Sequence, residues 1–282
     1  MTCRDPAGVS RENAEKLAGE REKLTAGERL IGRDAANLFS PDLSGAKGDP
    51  AQTAELLFSA GDAAREFCYA SASRLSFAAA LIEKYGITEA DLFPVLPAGE
   101  KTRLLYARVG AADRAFRLFS TILSDPRVGY AESNSDAAEG VESGDADLLI
   151  LPYADAAGNP VLSSRALADT YGLYLAALAK VKAGDGLTYG LYGRAVLQDT
   201  AGRTTLHLSL PAPDPDTAAD LFAIARDAEL VPSGVALPED GRATAAFSGK
   251  RDDCLAAAVA AVAFFPGCEL RGWRPEKPLS ER

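Results

Sequence analysis

His207 is the only histidine of the chain, and it lies in an alternating run of apolar and polar residues from Thr205 to Leu210. One imidazole excludes a metal site built from several histidines, and a Ser-His-Asp triad would have to use this residue. No GxSxG sequence accompanies it, which favours a strand histidine paired with a neighbouring group. The phosphate-binding motifs GxxxxGK[ST] and GxGxxG after a strand are also missing from the sequence. Any catalysis therefore has to use carboxylates, hydroxyls, arginine, lysine and backbone dipoles, and we expect neither a metal nor a cofactor.

The charges and the cysteines limit the environment and the partners. Cys3, Cys68, Cys254 and Cys268 form no CxxC pair, which indicates reduced structural thiols. The chain has 282 residues, a net charge of −10 and no run rich in lysine or arginine, so a nucleic-acid partner is not expected. No apolar run approaches the ~20 residues that span a bilayer, and no apolar stretch follows the first residues. We therefore expect a cytoplasmic protein without a membrane partner.

Residues 1–98 are predicted to be a helical region. The charge-dense stretch from Ser10 to Ala36 is typical of a mostly exposed helix, and Ser40 to Pro50 of a loop. From Leu57 to Ile82, small and apolar residues recur at steps of three and four, which predicts one helix of about eight turns. The prolines and glycine between Pro94 and Gly99 then predict a linker.

Residues 99–200 are predicted to be a small α/β lobe, because strand patterns alternate with helix patterns. The predicted strands are Arg103–Val109, Arg127–Ala131, Asp147–Pro152 and Leu187–Leu197, and the predicted helices are Ala112–Leu123, Ser135–Ser143 and Ser163–Val181. This alternation is typical of a parallel sheet built from right-handed βαβ crossovers.

Residues 201–282 show the order βαββαβ, which predicts a ferredoxin-like unit of the α+β class. Its central hairpin is predicted to turn at Glu239-Asp240-Gly241. An open antiparallel sheet of this kind often pairs with a second copy of itself, so we expect a homodimer.

The run Val141–Pro152 resembles the prephenate dehydratase family, whose first lobe carries a sequence of the type AVxxGxADYGVLPIENSxxG. The match continues with Gly158 and the predicted helix after it. Leu187–Arg194 resembles the segment with the family's Thr-Arg-Phe motif, and Gly267–Pro275 resembles the last strand of its phenylalanine-sensing ACT domain. The resemblance implies a catalytic fold of two periplasmic-binding-protein-like halves, of which this chain has room for one, followed by an ACT-like domain.

The front of the chain is similar to part of the chorismate mutase domain that begins bifunctional members of the family. Ser10–Leu17 and Glu55–Leu75 resemble the second and third mutase helices, and the long first helix is not expected here. Residues 1–98 are therefore interpreted as a mutase-like remnant or as dimerisation helices.

The resemblance also implies a site for a small carboxylate such as prephenate or a phenylalanine-like acid. Thr188 stands at the motif threonine and is the implied catalytic residue, while Asp155, Gly158 and Arg194 are the implied substrate-binding residues. Conversion of prephenate to phenylpyruvate requires a proton donor at the departing hydroxyl and cations for the carboxylates. Thr188 could be that donor, and the cations could come from Arg108, Arg114 or Arg194.

Three departures from the family pattern leave the function open. Asp155 puts a negative charge where the family has an amide, and it would repel a dicarboxylate unless it is paired. Tyr189 and Gly190 replace the arginine and the phenylalanine of the Thr-Arg-Phe motif. The chain is therefore expected to be a divergent carbon-oxygen lyase of phenylalanine biosynthesis, or a non-catalytic aromatic amino-acid sensor that uses its ACT-like domain.

Overall fold

The computed structural model describes residues 6–96, 101–182, 186–198, 202–211, 214–236 and 242–281. The helices are α1 (Pro6–Leu38), α2 (Pro50–Ala64), α3 (Ser71–Tyr85), α4 (Glu89–Leu92), α5 (Ala112–Phe119), α6 (Asn134–Glu142), α7 (Leu162–Thr170), α8 (Pro215–Asp227) and α9 (Arg251–Phe264). The strands are β1 (Val95–Leu96), β2 (Arg103–Ala107), β3 (Arg127–Ala131), β4 (Leu148–Ala154), β5 (Tyr174–Lys180), β6 (Thr188–Gly193), β7 (Val196–Leu197), β8 (Arg203–Pro211), β9 (Val231–Ala236), β10 (Arg242–Lys250), β11 (Glu269–Pro275) and β12 (Leu279–Ser280). This order confirms the fold class: N-terminal helices, a small α/β lobe and a C-terminal α+β unit.

The N-terminal helices differ from the prediction between Leu57 and Ile82. The helix predicted from Leu57 to Ile82 is wrong, because the chain forms α2 and α3 with a turn between them. Arg74 of α3 links this turn to α8: its guanidinium donates to the Cys68 carbonyl at 2.9 Å and to Asp220 of α8 at 2.7 Å. The helix predicted from Ser10 to Ala36 is confirmed as α1, which spans 33 residues.

The lobe between residues 103 and 193 is a five-stranded sheet with the order β3-β2-β4-β6-β5. β2 runs parallel to β3 and β4, as predicted, but β6 runs antiparallel to both β4 and β5. The sheet is therefore mixed and not wholly parallel.

The helix predicted from Ser163 to Val181 is wrong in its second half, which is strand β5. Gly172, with φ +60°, follows the end of α7, and Leu175 to Ala179 are then buried. Alanine and leucine favour helix by propensity, but burial on both faces of a sheet overrides this preference.

The C-terminal unit confirms the ferredoxin-like prediction. Its strands have the order β11-β8-β10-β9, and each adjacent pair is antiparallel. Helices α8 and α9 pack against one face through alternate residues such as Leu206, Leu208 and Phe247. The predicted hairpin turn at 239–241 lies outside the described residues.

The lobe, the C-terminal unit and the first helices are in direct contact. β5 and β11 pair in parallel at Leu175 and Gly272, so the two sheets form one continuous sheet. Helix α2 approaches α9 so closely that a Cβ on Gly61 would lie 2.1 Å from the carbonyl oxygen of Ala263. The α2–α4 segment thus shares its core with the C-terminal unit. The division at residues 98 and 200 remains a prediction.

None of the described helices has the length and apolarity to cross a membrane.

Candidate functional site

The predicted site residues lie at two ends of strand β6. Thr188 begins the strand and pairs with Ala154, so it lies beside the β4–α7 loop that contains Asp155 and Gly158. Arg194 follows the last residue of the strand, and its guanidinium donates to the Glu142 carbonyl at 3.1 Å. A strand of this length separates its ends by roughly 20 Å. The structure therefore brings Thr188, Asp155 and Gly158 together and places Arg194 elsewhere.

The Asp155 carboxylate closes its own loop. It accepts hydrogen bonds from the backbone N–H of Ala157 at 2.9 Å, the backbone N–H of Asn159 at 2.8 Å and the Asn159 side-chain amide at 2.9 Å. These bonds, first of all those from Asn159, lower the pKa of Asp155 below its ordinary value. Gly158, with φ +90°, allows the loop to turn back. The negative charge is thus already hydrogen-bonded within the loop.

The other two arginines suggested for substrate carboxylates have acidic neighbours. The Arg108 guanidinium lies 4.1 Å from the ring centroid of Tyr130, and its Nε lies 3.5 Å from Asp113. Arg114 lies 3.7 Å from Glu281. Both side chains are more than half exposed, so these pairs contribute little stability.

A cavity of about 300 Å³ lies between the lobe and the ferredoxin-like sheet. The lobe contributes the loop after β4, helix α7 and strands β5 and β6, and the C-terminal unit contributes strands β8 to β11. Its apolar lining includes Ala168, Leu173, Leu175 and Ala246. Gly158 lines the cavity, as does Ala154, the strand partner of Thr188. The cavity therefore adjoins the strand end where the sequence predicted a site.

Two arginines from different parts of the fold meet in this cavity around one carboxylate. Arg165 Nε lies 3.8 Å from Asp169 Oδ2, one turn away on α7, and Arg271 Nε on β11 lies 4.0 Å from Asp169 Oδ1. Arg271 Nη2 also pairs with Glu269 Oε2 at 2.5 Å. The Arg165 and Arg271 side chains are only 20% and 22% exposed. Within the described part of the chain, the buried Arg271 Nε has no hydrogen-bond partner.

His207 lines the cavity and pairs with a buried arginine behind it. Arg274 Nε donates to His207 Nε2 at 2.9 Å, and Arg274 Nη1 donates to the carbonyls of Pro275 and Glu276 at 2.8 and 3.2 Å. This confirms the prediction of a paired strand histidine. Burial and the Arg274 charge lower the pKa of His207 well below its ordinary value, so the ring is neutral at pH 7. Burial also lowers the pKa of Arg274 and raises that of Tyr192, another lining residue.

Acidification is expected to destabilise the fold through His207. Since its folded pKa lies below the ordinary 6.5, the unfolded chain takes up the proton first. Well above pH 6.5 the imidazole is neutral in both states, and the stability from this group is complete. As the pH falls below about 6.5, the free energy of unfolding decreases by at most about 1.4 kcal/mol per pH unit. His207→Gln keeps an acceptor for Arg274 and does not titrate. Chemical unfolding between about pH 7 and pH 5 should show a smaller loss of stability for this variant, and equal losses would contradict the assignment.

The described cysteines are unsuited to nucleophilic catalysis. Burial raises the pKa of the Cys68 thiol to about 11, and those of Cys254 and Cys268 to about 12. A thiol with such a pKa is protonated at neutral pH, and the thiolate is the nucleophile. Across the described ranges, no group of three or more His, Cys, Asp or Glu side chains could hold a metal ion. The cavity's chemistry is therefore that of guanidinium groups, one carboxylate, hydroxyls and an apolar wall, which suits binding of a small carboxylate.

Arg165, Asp169, Arg271 and Arg274 were missed by reasoning from the sequence. The spacing of Arg165 and Asp169 is visible there as an i, i+4 pair on a helix, but such pairs are usual on exposed helix faces. Arg271 and Glu269 are equally visible as alternate residues of strand β11. Nothing in the sequence shows that α7 and β11 face each other, because this depends on the pairing of β5 with β11.

Comparison with known proteins gives a partial structural likeness. No family model matches the chain, and no curated protein does. A solved structure described as a novel type of quorum-quenching acylase matches at 16% identity and a TM-score of 0.46, covering 64% of this chain and 97% of that chain. A prephenate dehydratase from Streptococcus mutans matches at 11% identity and a TM-score of 0.49, covering 64% of this chain and 100% of that chain. A prephenate dehydratase from Arthrobacter aurescens in complex with L-Phe matches at 12% identity and a TM-score of 0.49, covering 62% and 91%.

Proposed function

We propose that this chain binds a small carboxylic acid with a phenylalanine-like body in the cavity between α7 and the ferredoxin-like sheet. The observation that carries the proposal is the meeting of Arg165 and Arg271, one from each side of the cavity, with a buried Nε on Arg271 that has no hydrogen-bond partner among the described residues. On this proposal the chain is a non-catalytic sensor of the cytoplasm, and its C-terminal unit is an ACT-like regulatory domain.

The size and the lining of the cavity fit such a ligand. A volume of about 300 Å³ is at the lower end of the range for small-molecule pockets, which suits an acid with one ring or one branched aliphatic group. The apolar residues of α7 and β5 would cover its hydrocarbon part. A carboxylate would accept hydrogen bonds from the guanidinium groups, and such charge-assisted bonds are stronger than neutral ones.

Isothermal titration calorimetry on the full chain tests this proposal. L-phenylalanine, phenylpyruvate and prephenate should each be titrated, together with phenethylamine, which lacks the carboxylate. At least one acid should bind and the amine should not. The variant Ala246→Leu, which fills part of the cavity, should weaken binding of the same acid, while Ala51→Leu at an exposed position of α2 should not. Binding of no acid, or unchanged binding in Ala246→Leu, would contradict the proposal.

A second candidate function is prephenate dehydratase activity, a decarboxylating dehydration that yields phenylpyruvate. The observation in its favour is the position of Thr188, whose strand partner Ala154 lines the cavity. A hydroxyl at this strand end lies beside the loop of Gly158 and could donate to a departing hydroxyl of a ligand in the cavity.

The variant Thr188→Val is expected to lower any dehydratase rate by about 100-fold, because it removes the proposed proton donor without changing the size of the side chain. The spectrophotometric assay for phenylpyruvate measures this rate. Thr121→Val, an equal change at an exposed turn after α5, serves as the control and should keep the full rate. An unchanged rate in Thr188→Val removes Thr188 from the mechanism. If the wild-type chain forms no phenylpyruvate from prephenate, this second candidate is overturned.

A homodimer is also part of the proposal. Helix α1 leaves Leu17, Leu24 and Leu38 exposed at 66%, 66% and 76%, and the spacing of seven between the first two puts them on the same helix face. Apolar side chains in such a row favour association with another helix. Sedimentation equilibrium should give twice the monomer mass of 29.5 kDa, and Leu17→Lys with Leu24→Lys should shift the protein toward monomer. A wild-type monomer at all concentrations would contradict this part.

A further inference from the structure

We infer that His207 is a specificity-determining residue of the cavity: Arg274 holds its ring in the tautomer with the proton on Nδ1, and this N–H donates to a neutral oxygen of the bound acid. The inference rests on the proposed function and adds a second polar contact to the one between the ligand carboxylate and the arginines. The cavity then prefers acids that carry a hydroxyl or carbonyl oxygen beside the carboxylate.

The hydrogen bond between Arg274 and His207 fixes the position of the imidazole proton. Arg274 Nε donates to His207 Nε2 at 2.9 Å. A guanidinium group has donors and no acceptor, and it keeps its proton in proteins, so Nε2 has to be the nitrogen with the free lone pair. A neutral imidazole carries one ring N–H, which is therefore on Nδ1.

Arg274 is held firmly enough to impose this tautomer. The residue is only 6% exposed, and its Nη1 donates to the backbone carbonyls of Pro275 and Glu276 at 2.8 and 3.2 Å. Rotation of the guanidinium would break these two bonds together with the bond to His207, and it would leave buried donors without partners. Arg274 is thus a positioning residue that acts on the ligand through the imidazole.

His207 lies on the face of the ferredoxin-like sheet that lines the cavity. Its neighbours on β8, Leu206 and Leu208, belong to the core under α8 and α9, and successive residues of a strand point to opposite faces of the sheet. Among the described residues, Nδ1 of His207 has no hydrogen-bond partner, since the bond from Arg274 uses Nε2. The Nδ1–H is therefore available to a ligand.

His207 and Arg271 are neighbours across strands β8 and β11. His207 pairs with Gly272, and the register shifts between Leu270 and Gly272, so Arg271 is the extra residue of a β-bulge. A bulge leaves its extra residue out of the ladder and redirects its side chain. Because paired strands lie about 4.8 Å apart, an acid whose carboxylate lies on Arg271 can place an oxygen of its next carbon atom near His207.

The imidazole N–H differs from the hydroxyl groups of the cavity. Such groups are contributed by Tyr153, Tyr192, Ser233 and Thr244. A hydroxyl can donate or accept, so it does not select for an acceptor on the ligand, whereas Nδ1–H can only donate. A ligand without an acceptor at this point leaves a partly buried donor without a partner, which lowers its affinity.

Nitrogen-15 NMR of the full chain tests the tautomer directly, because His207 is the only histidine. Long-range ¹H–¹⁵N correlation spectra of labelled wild-type protein at pH 7 should show a protonated Nδ1 and an unprotonated Nε2. In Arg274→Met the Nε2 atom loses its donor, so the signals should move toward those of a mixture of tautomers. A wild-type ring with its proton on Nε2, or with two protons, overturns the inference without any variant.

Calorimetry with 3-phenyllactate and 3-phenylpropionate, which lacks only the hydroxyl group, tests the role in specificity. One enantiomer of 3-phenyllactate should bind the wild type about 10-fold more tightly than 3-phenylpropionate. His207→Met removes the ring N–H, so this preference should disappear while the affinity for 3-phenylpropionate stays within a few fold. His207→Gln is the conservative variant and should keep a preference, because its amide can accept from Arg274 and donate to the ligand.

The outcomes separate the inference from the proposed function. A preference that is lost in His207→Met and kept in His207→Gln, with melting temperatures close to that of the wild type, supports the inference. Equal binding of the two compounds by the wild type, or equal weakening of both in His207→Met, overturns it. If 3-phenyllactate does not bind while another acid does, the inference fails and the proposed function stands. If no acid binds at all, the proposed function itself fails.

Discussion

Trp273→Ala is expected to lower the free energy of unfolding by about 3–5 kcal/mol, the usual cost of removing a large aromatic side chain from a core. Trp273 is 1% exposed on β11, and its ring centroid lies 5.8 Å from that of Phe93, which follows α4. Phe93 in turn lies 5.8 Å from Tyr174 of β5. The indole therefore contributes to a core that joins the first helices, the lobe and the C-terminal unit. The cavity left by alanine would weaken the packing of these three parts against one another.

Chemical unfolding followed by circular dichroism measures this effect, since Trp273 is the only tryptophan and its fluorescence is lost in the variant. Trp273→Phe should cost less than the alanine change, because it keeps an aromatic ring and removes an indole N–H that has no hydrogen-bond partner in the described part of the chain. Leu162→Ala, at a side chain 68% exposed, should cost under about 0.5 kcal/mol. A loss below about 1 kcal/mol in Trp273→Ala would show that the three parts do not depend on this core.

The double variant Arg165→Met and Arg271→Met is expected to weaken binding of the acid by about 100- to 10,000-fold. Each charge-assisted hydrogen bond to a carboxylate contributes about 1.5–3 kcal/mol, and both cations are removed together. Methionine keeps much of the length of the arginine stem, so the apolar contacts of the cavity are mostly retained. The change also removes both of the cations that lie beside Asp169 in the cavity, and the negative charge of Asp169 repels a carboxylate.

Calorimetry with the acid that binds the wild type measures this loss. The control is Arg33→Met with Arg117→Met, which removes the same net charge at two exposed positions on α1 and α5. The control should retain affinity to within a few fold, and equal losses in the two double variants would point to a long-range effect of net charge and against a local carboxylate site.

The ferredoxin-like unit was predictable because each of its elements shows its own pattern. β8 alternates around His207, and Asp214 caps α8 through its bond from the Thr217 N–H at 2.7 Å. β5 was not predictable in the same way, since its run of alanine and leucine favours helix and only its burial between β6 and β11 makes it a strand. The turn before α3 likewise depends on Arg74 and Asp220, which are far apart in the sequence.

The candidate site was predictable only at its edge. The resemblance placed Thr188, Asp155 and Gly158 together, and the register of β4 with β6 brings them to one strand end. The charged groups that line the cavity come from α7 and β11, about 100 residues apart, and they meet because the lobe and the C-terminal unit share one sheet. No local pattern encodes such a meeting, whereas the pairing of two strands determines it.

Hydrogen–deuterium exchange of the full chain, with and without saturating L-phenylalanine, tests most directly where the ligand binds. We predict slower exchange in α7 and in strands β9 to β11, which face each other across the cavity, and unchanged exchange in α1, which lies outside the cavity lining. Protection confined to segments outside that lining, or exchange identical in the two samples while calorimetry shows binding, would contradict the assignment of this cavity as the ligand site.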